Sequence, residues 1–167
     1  MAVALASSLL LVPRFASAQE SGIDIGKRGP SAAVQSLDGK AADLGSYVGK
    51  GPVLMEFWAT WCPNCRELEP TLIATQKKYA GKVRFVGVAV SVNQSPAKVK
   101  AYIAKHGIRH DIVFDTNGKA AEAYDVPATS YVVVLNAKGN VVYTGLGGKQ
   151  DLEAAIRKAF QAPSPAG

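Results

Sequence analysis

The two cysteines of this chain lie close together, in the segment Trp61-Cys62-Pro63-Asn64-Cys65. A Cys-x-x-Cys pair is compatible with a redox dithiol, a structural disulfide or half of a metal site. This pair follows an apolar stretch typical of a buried strand and precedes a predicted helix. Backbone N–H groups and the helix dipole at a helix N-terminus stabilise a thiolate, the attacking species in thiol–disulfide exchange. The position therefore favours a redox pair in which Cys62 is the more exposed and more acidic thiol.

The other two chemistries remain open from the residues alone. A disulfide that closes so short a loop contributes only about 2 kcal/mol, which would make it a weak structural staple. His106 and His110 are spaced i, i+4, as zinc ligands can be. A whole predicted strand and helix separate them from Cys65, however, where zinc fingers have roughly a dozen residues. We therefore predict no metal site and no cofactor, and expect both histidines on the surface or in loops.

Strands and helices alternate along most of the chain. This order predicts an α/β fold with a mostly parallel sheet, helices on both faces and an antiparallel hairpin at the end. Pro70 is expected to kink the helix that follows the cysteines. The predicted strands cover 33–37, 52–58, 83–90, 112–114, 131–135 and 140–144. The predicted helices cover 41–48, 63–79, 95–106, 119–124 and 151–160.

Residues 1–18 have the pattern of a signal peptide. The apolar run Ala2–Val12 is shorter than the roughly 20 residues that span a bilayer, and Ala16-Ser17-Ala18 is typical of a signal-peptidase site. A membrane tether and a buried N-terminal helix are the alternatives, and no Lys or Arg precedes the apolar run. We predict an exported, periplasmic or extracytoplasmic protein, with a domain over 19–161 and a disordered tail over 162–167. Disulfides persist in such compartments.

Composition excludes several classes of protein. A chain of 167 residues with 48% hydrophobic residues is sufficient for one domain with a real core. The formal net charge of +6 would permit contact with nucleic acid. The basic residues are scattered, however, and no RNA-binding or helix-turn-helix signature accompanies them. We therefore predict no nucleic-acid partner.

A longer segment around the cysteines resembles the active-site strand and helix start of thioredoxin-like proteins. It reads Leu54-Met55-Glu56-Phe57-Trp58-Ala59-Thr60-Trp61-Cys62-Pro63-Asn64-Cys65. With Arg66 and Pro70 after it, the segment is most similar to the exported TlpA/ResA group of thiol–disulfide oxidoreductases. Val126-Pro127-Ala128-Thr129 resembles the cis-proline loop of that fold.

The resemblance extends over about residues 51–159 and implies an α/β fold of the thioredoxin type. Such a fold has a central mixed sheet flanked by helices. An inserted strand near Ile112, an inserted helix near Lys119 and an N-terminal extension are expected in addition, because the distance from Val90 to Pro127 exceeds what a minimal thioredoxin needs.

The resemblance also implies a role for each site residue. Cys62 would be the nucleophile and Cys65 the resolving thiol. Glu56, six residues before Cys62, would be a buried acid that takes the proton of Cys65, with a pKa raised by burial; a Glu that merely contacts solvent is the alternative. The Val126–Pro127 bond is expected to be cis and to lie beside Cys62. The supporting residues would be Trp58, Trp61, Pro63, Asn64, Val126 and Pro127.

One departure from the ResA-like pattern concerns a second acid. Those members place a Glu three residues after the second cysteine, where this chain has Leu68. Glu67 and Glu69 lie on either side of it.

Two further function classes are compatible with the same fold. Peroxiredoxins use Pro-x-x-x-Thr-x-x-Cys, but the Pro and Thr positions hold Met55 and Ala59 relative to Cys62. Relative to Cys65 they hold Trp58 and Cys62, so neither cysteine fits. A non-enzymatic binding module is the other class.

The reaction that we predict is reduction of disulfides in a client protein by a Cys-Pro-Asn-Cys dithiol, through a mixed disulfide. The protein is expected to act as a monomer and to receive electrons from a membrane donor. An oxidase that uses the same pair in the reverse direction is the alternative.

Overall fold

A seven-stranded mixed sheet forms the centre of the protein in the computed structural model, which describes residues 22–161. The strands are β1 (Ala33–Ser36), β2 (Ala41–Asp43), β3 (Val53–Trp58), β4 (Arg84–Val90), β5 (Asp111–Asp115), β6 (Tyr131–Leu135) and β7 (Val141–Leu146). Their order across the sheet is β2-β1-β5-β4-β3-β6-β7. The helices are α1 (Pro63–Lys78), α2 (Pro96–His106), α3 (Lys119–Ala123) and α4 (Leu152–Ala159), and a 3-10 helix spans Leu44–Tyr47.

The direction of the strands changes across the sheet. Only β3–β4 and β4–β5 are parallel pairs. The other pairs, β1–β2, β1–β5, β3–β6 and β6–β7, are antiparallel. The mixed sheet implied by the resemblance is therefore confirmed. The mostly parallel sheet predicted from the alternation of elements is wrong, because a hairpin occupies each edge.

Strand β3 is buried on both faces, as its apolar sequence predicts. Successive side chains of a strand point to opposite faces. Leu54 and Trp58 therefore face the side where α1, α2 and α4 pack, whereas Met55 and Phe57 face the other side. That second face is covered by α3, the 3-10 helix and the segment before β1. The placement of α1, α2 and α4 determines what surrounds the cysteines.

The predicted helix over 41–48 is wrong in its first half. The turn at Asp38-Gly39 sends the chain back, and residues 41–43 pair with β1 as β2. Asp43 then caps the 3-10 helix, because its carboxylate accepts a hydrogen bond from the Gly45 N–H at 2.6 Å. The hairpin satisfies backbone groups that a helix starting at Ala41 would leave without partners.

The inserted strand and helix are present as β5 and α3, between α2 and β6. Helix α2 begins at its predicted cap, where the Ser95 hydroxyl accepts from the Lys98 N–H, and ends at Gly107 with φ 66°. Helix α1 continues through Pro70. Within residues 22–161, no helix is long and apolar enough to cross a membrane. The predicted signal peptide (1–18) and tail (162–167) lie outside the described residues.

Candidate active site

Cys62 and Cys65 form a disulfide at the start of α1, with their Cα atoms 5.3 Å apart. Cys62 is the N-cap of the helix, and its Sγ accepts a hydrogen bond from the Cys65 N–H at 3.1 Å. Pro63 occupies the first helical turn, where its missing N–H leaves no donor unsatisfied. The sulfur of Cys62 thus lies where a helix N-terminus favours negative charge.

Both cysteines are buried in this disulfide-bonded state, so the prediction that Cys62 is the more exposed and more acidic thiol of the reduced protein stays a prediction. Cys62 is 2% exposed and Cys65 is 5% exposed. Both pack in an apolar cluster with Trp58, Ala89 and Phe114. This cluster, together with the hydrogen bond to the Cys65 N–H, holds the sulfur of Cys62 inward.

The loop between β4 and α2 fixes the segment that precedes the cysteines. The indole Nε1–H of Trp61 donates to the carbonyl of Val92 at 2.7 Å. The Thr60 N–H donates to Gln94 Oε1 at 2.9 Å. Trp61 remains 42% exposed, and Pro63 and Asn64 are exposed on the first turn of α1. The aromatic ring is therefore held in place and still presents a face to solvent.

Glu56 lies in the middle of the sheet and is 5% exposed. It pairs with Val132 on one side and Gly87 on the other, and Gly87 pairs with Ile112. Paired residues share a face, so this carboxyl group stands in an otherwise apolar row. Burial first, and then the nearby Glu69 carboxylate, raise the pKa of Glu56 to about 8. The predicted raised pKa is confirmed, and the alternative of a solvent-facing Glu is wrong.

A small internal cavity of about 10 Å³ joins Glu56 to the resolving cysteine. It is lined by Glu56, Trp58, Cys65, Glu69, Leu72, Tyr102, Ile108 and His110. Three buried polar atoms make no hydrogen bond to the residues that the structure describes: Glu56 Oε1, Trp58 Nε1 and His110 Nδ1. All three belong to residues that line this cavity. Trp58 therefore contributes a polar edge to the site as well as apolar packing.

Glu69 supplies a second carboxyl group beside the cavity. It accepts a hydrogen bond from the Tyr102 hydroxyl at 2.9 Å and pairs with His106 Nδ1 at 2.8 Å. Tyr102 stacks on the ring of His106, with centroids 3.8 Å apart. Burial and then the bond to Glu69 raise the pKa of Tyr102 to about 12. Glu69 thus brings a second carboxyl group to the cavity lining, whereas Leu68, at the position where ResA-like members have a Glu, is buried in the core between α1 and the sheet.

Both histidines lie closer to the site than the sequence predicts. His106 is half-buried against Glu69, and burial of His110 lowers its pKa to about 4. Residues 22–161 contain no group of three His, Cys, Asp or Glu side chains that could hold a metal ion. The signal for His110 is Gly87, since a glycine within a buried strand often marks a close approach by another group. A methyl group added at Gly87 would lie 2.9 Å from Trp58 Nε1 and 3.3 Å from His110 Nε2.

The expected cis bond before Pro127 is wrong, because residues 22–161 contain no cis peptide bond. Two other residues redirect the chain between α3 and β6. Asp125 and Ser130 adopt the left-handed region, with φ 48° and 64°. The Val126 N–H bonds the Ala121 carbonyl and the Ser130 N–H bonds the Phe57 carbonyl. A trans bond therefore suffices to bring this loop back to the sheet.

The same loop forms one wall of an open, mostly apolar groove of about 450 Å³. Trp61 and Val92 line it together with Val126, Ala128 and Thr129. Pro127 is exposed and is not among the lining residues. The structure thus brings Val126 and Trp61 to one surface, and Ala128 and Thr129 occupy the wall where Pro127 was expected.

Comparison with known proteins identifies the family. Residues 24–159 match the Redoxin family. The thioredoxin-like protein YneN of Bacillus subtilis is 32% identical over 143 residues, which cover 84% of this chain and 83% of the relative. The thiol-disulfide oxidoreductase ResA of the same organism is 31% identical over 125 residues, covering 75% and 69%.

A solved structure agrees with these matches. A thiol:disulfide interchange protein of the thioredoxin family from Chlorobium tepidum superposes with a TM-score of 0.69 at 26% identity, covering 81% of this chain and 97% of that one. The shared fold and the names of these proteins agree with a thiol–disulfide oxidoreductase that carries a Cys62–Cys65 pair. The chain therefore belongs to the Redoxin family, among its thiol–disulfide oxidoreductases.

Proposed function

We propose that this protein is an exported disulfide reductase in which Cys62 attacks, Cys65 resolves and Glu56 carries the proton. The observation that supports this assignment best is the shared cavity, since Glu56 and Cys65 line the same small space behind the disulfide. Cys62 lies on the other side of that pair, at the helix N-terminus. The two cysteines are thus placed in different electrostatic surroundings, as two different roles require.

The reaction begins with the Cys62 thiolate, which attacks one sulfur of a client disulfide. The client S–S bond breaks, one client sulfur leaves as a thiolate, and a mixed disulfide forms on Cys62. Cys65 then loses its proton to the Glu56 carboxylate and attacks Cys62 Sγ. The second client sulfur leaves, so the client gains two electrons and the Cys62–Cys65 disulfide forms.

The raised pKa of Glu56 suits it to proton transfer both when the Cys62–Cys65 disulfide is reduced and when it forms. A carboxyl group with a pKa of about 8 is mostly protonated at neutral pH, because the apolar row around it disfavours charge. When a donor thiol attacks the disulfide, the protonated Glu56 gives its proton to the departing Cys65. When Cys65 resolves a mixed disulfide, Glu56 takes the proton back.

The groove beside Trp61 is the proposed client site. Its apolar wall fits an extended peptide segment that lies across Val126, Ala128 and Thr129, next to Trp61, which precedes Cys62. Pro63 and Asn64, exposed on the first turn of α1, would border the approach to Cys62. Thiol-bearing protein clients are consistent with the relatives' name of thiol-disulfide oxidoreductase.

Dithiothreitol-driven reduction of a disulfide protein such as insulin tests the activity. We expect turnover with the natural chain, none with Cys62→Ser, and a trapped mixed disulfide with Cys65→Ser. Unchanged partner binding with no turnover in any of these proteins would instead indicate a binding module.

Equilibration with glutathione buffers tests the direction of electron flow. A reductase should have a potential near the thioredoxin value of about −270 mV, and an oxidase one near the DsbA value of about −120 mV. A potential at the oxidising end would contradict the reductase assignment.

Export is supported by the sequence of residues 1–18, and a membrane donor would then be needed to keep the pair reduced. The test is expression of the full chain in a bacterium, followed by sequencing of the N-terminus of the exported protein. We expect it to begin at Gln19, and a matched Ala18→Arg variant should remain uncleaved. Light scattering of the mature protein should give the mass of a monomer.

A further inference from the structure

We infer that His110 connects Glu56 to solvent through a single water molecule in the internal cavity, and so sets how fast the resolving cysteine exchanges its proton. This inference rests on the proposed function, since it assigns the route by which Glu56 gains and loses protons. His110 acts through Glu56 and does not contact the sulfurs in this proposal.

The polar atoms that line the internal cavity match the hydrogen bonds of one water molecule. A cavity of about 10 Å³ is at the lower limit for one water molecule, which needs two to four polar partners. Glu56 Oε1, Trp58 Nε1 and His110 Nδ1 are buried, lack hydrogen-bond partners among the described residues and belong to the cavity lining. One water can accept from the Trp58 N–H and donate to the other two groups. The site thus supplies the required set of donors and acceptors.

His110 lies at two cavities. It lines the internal cavity and also a separate open cavity of about 300 Å³, whose other walls include Gln76, Arg84 and Asp111. His110 therefore borders both the cavity that Glu56 lines and an opening at the surface. A neutral imidazole accepts a proton at one ring nitrogen and releases one from the other.

The charges around His110 are compatible with a neutral ring. Burial lowers the pKa of His110 to about 4, and the carboxylates of Asp111 and Glu69 offset this effect only in part. The ring is therefore uncharged at neutral pH, with one nitrogen free to accept. The titratable groups that line its two cavities are Glu56, Cys65, Glu69, Tyr102, Arg84 and Asp111.

Gly87 provides the space that this route requires. It pairs with Glu56 in the sheet, and a methyl group there would approach both Trp58 Nε1 and His110 Nε2. Any side chain at Gly87 would therefore crowd the Ile112 side chain and the rings of Trp58 and His110, two of the residues that line the cavity. The missing side chain at Gly87, the β4 partner of Glu56, thus leaves room for the Trp58 and His110 rings beside the cavity.

A balanced proton path follows. When Cys65 resolves a mixed disulfide at neutral pH, Glu56 must first release the proton that its raised pKa retains. That proton passes to the water, a water proton passes to His110 Nδ1, and the Nε2 proton leaves to solvent. The reverse path reprotonates Glu56 after a donor has reduced the disulfide.

The test uses the reduced protein and dithiobis-nitrobenzoate, whose released thiolate is coloured. The first release reports attack by Cys62, and the second reports resolution by Cys65. We expect His110→Gln and His110→Leu to slow the second release about tenfold at pH 7 while the first is unchanged, a smaller effect than that of removing Glu56 itself. Added imidazole should restore the second release in His110→Gly and should not do so in Glu56→Gln.

His106→Gln is the matched control, because this histidine contacts Glu69 and does not line the cavity. Its two releases should match those of the natural chain. A second release at the natural rate in His110→Gln would overturn the inference. A slowed second release in His106→Gln would also overturn it, because the proton of Glu56 would then reach solvent by way of Glu69 and Tyr102. Absence of the first release in the natural chain would contradict the proposed function instead.

Discussion

Glu56 and Asp115 are both buried carboxyl groups on strands of the sheet, but their surroundings differ. Asp115 is fully buried at the end of β5, and its two oxygens accept hydrogen bonds from the N–H groups of Ala120 and Ala121. Glu56 lies mid-strand and has an oxygen without a partner in the described part of the chain. Backbone N–H groups thus replace water as the hydrogen-bond donors to Asp115, which stabilises the start of α3. Glu56 has no such donors for one of its oxygens, so its charged form is not stabilised in the same way.

The contrast shows that burial alone does not mark a functional acid. A carboxylate that accepts two backbone N–H bonds has a structural use for its charge. A buried carboxyl group whose charge is not satisfied costs free energy, and such groups cluster at functional sites. Four experiments can break or sharpen this distinction.

The pH dependence of stability should give the largest effect. Glu56 retains a proton in the folded state up to about pH 8, whereas its ordinary pKa is 4.5. Between these values the folded protein binds more protons than the unfolded chain, so raising the pH lowers the free energy of unfolding. From pH 5 to pH 8 the loss should be on the order of 4 kcal/mol.

Urea unfolding of the oxidised protein and of Glu56→Gln at both pH values measures this loss. The variant lacks the titrating group, so the difference in stability between the two proteins should grow as the pH rises. An equal difference at pH 5 and pH 8 would show that Glu56 titrates normally.

Glu56→Gln should also slow the resolution of mixed disulfides by about 100-fold. The amide has nearly the shape of the acid but cannot accept the proton of Cys65. The second release of coloured thiolate measures the rate, and the first release should be unchanged. Equal rates of the second release in the variant and the natural chain would show that Glu56 does not take part in the resolution of the mixed disulfide.

Asp115→Asn should lower stability by about 2 kcal/mol, because an amide cannot accept from both N–H groups of α3. Both releases of coloured thiolate should stay as in the natural chain. Asp151→Asn is the matched control, since Asp151 caps α4 by accepting from the Ala154 N–H but is exposed. The free energy of unfolding that Asp151→Asn loses, measured in urea, should be smaller than the loss in Asp115→Asn. A slowed second release in Asp115→Asn would contradict the distinction between the two buried acids.

Glu69→Gln should have the smallest effect. The Glu69 carboxylate contributes to the raised pKa of Glu56, but less than burial does. Removing its charge should move the titration midpoint of Glu56 to lower pH while keeping it above the ordinary value. Carboxyl infrared bands across pH would measure the shift, and an upward movement would mean that Glu69 stabilises the charged form of Glu56.

The elements that rest on local pattern could be predicted from the sequence. Strand β3 follows from an apolar run, and α2 follows from the Ser95 cap and the Gly107 stop. The strand β2 was missed because its structure depends on the return of the chain to β1. A composition compatible with a helix did not reveal that pairing.

The site divides in the same way. Cys62, Cys65 and Glu56 could be predicted because one short segment carries them. His110 was not identified, since the one signal for it is a glycine in another element, Gly87 of β4, which lies close to the histidine only in the folded chain. The cis bond at Pro127 was wrong because the left-handed residues Asp125 and Ser130 redirect the loop. Contacts between distant segments decide each of these features.

The two tryptophans of this chain, Trp58 and Trp61, both come shortly before Cys62 but line different spaces. Trp58 is buried beside the internal cavity, and Trp61 is held by Val92 at the edge of the groove. Light emission by an indole depends on its surroundings and on nearby sulfurs. The chain therefore carries two built-in optical reporters, and replacing either by phenylalanine leaves the other. Trp58 would then follow the opening of the bond from within, and Trp61 would follow the arrival of another molecule from outside.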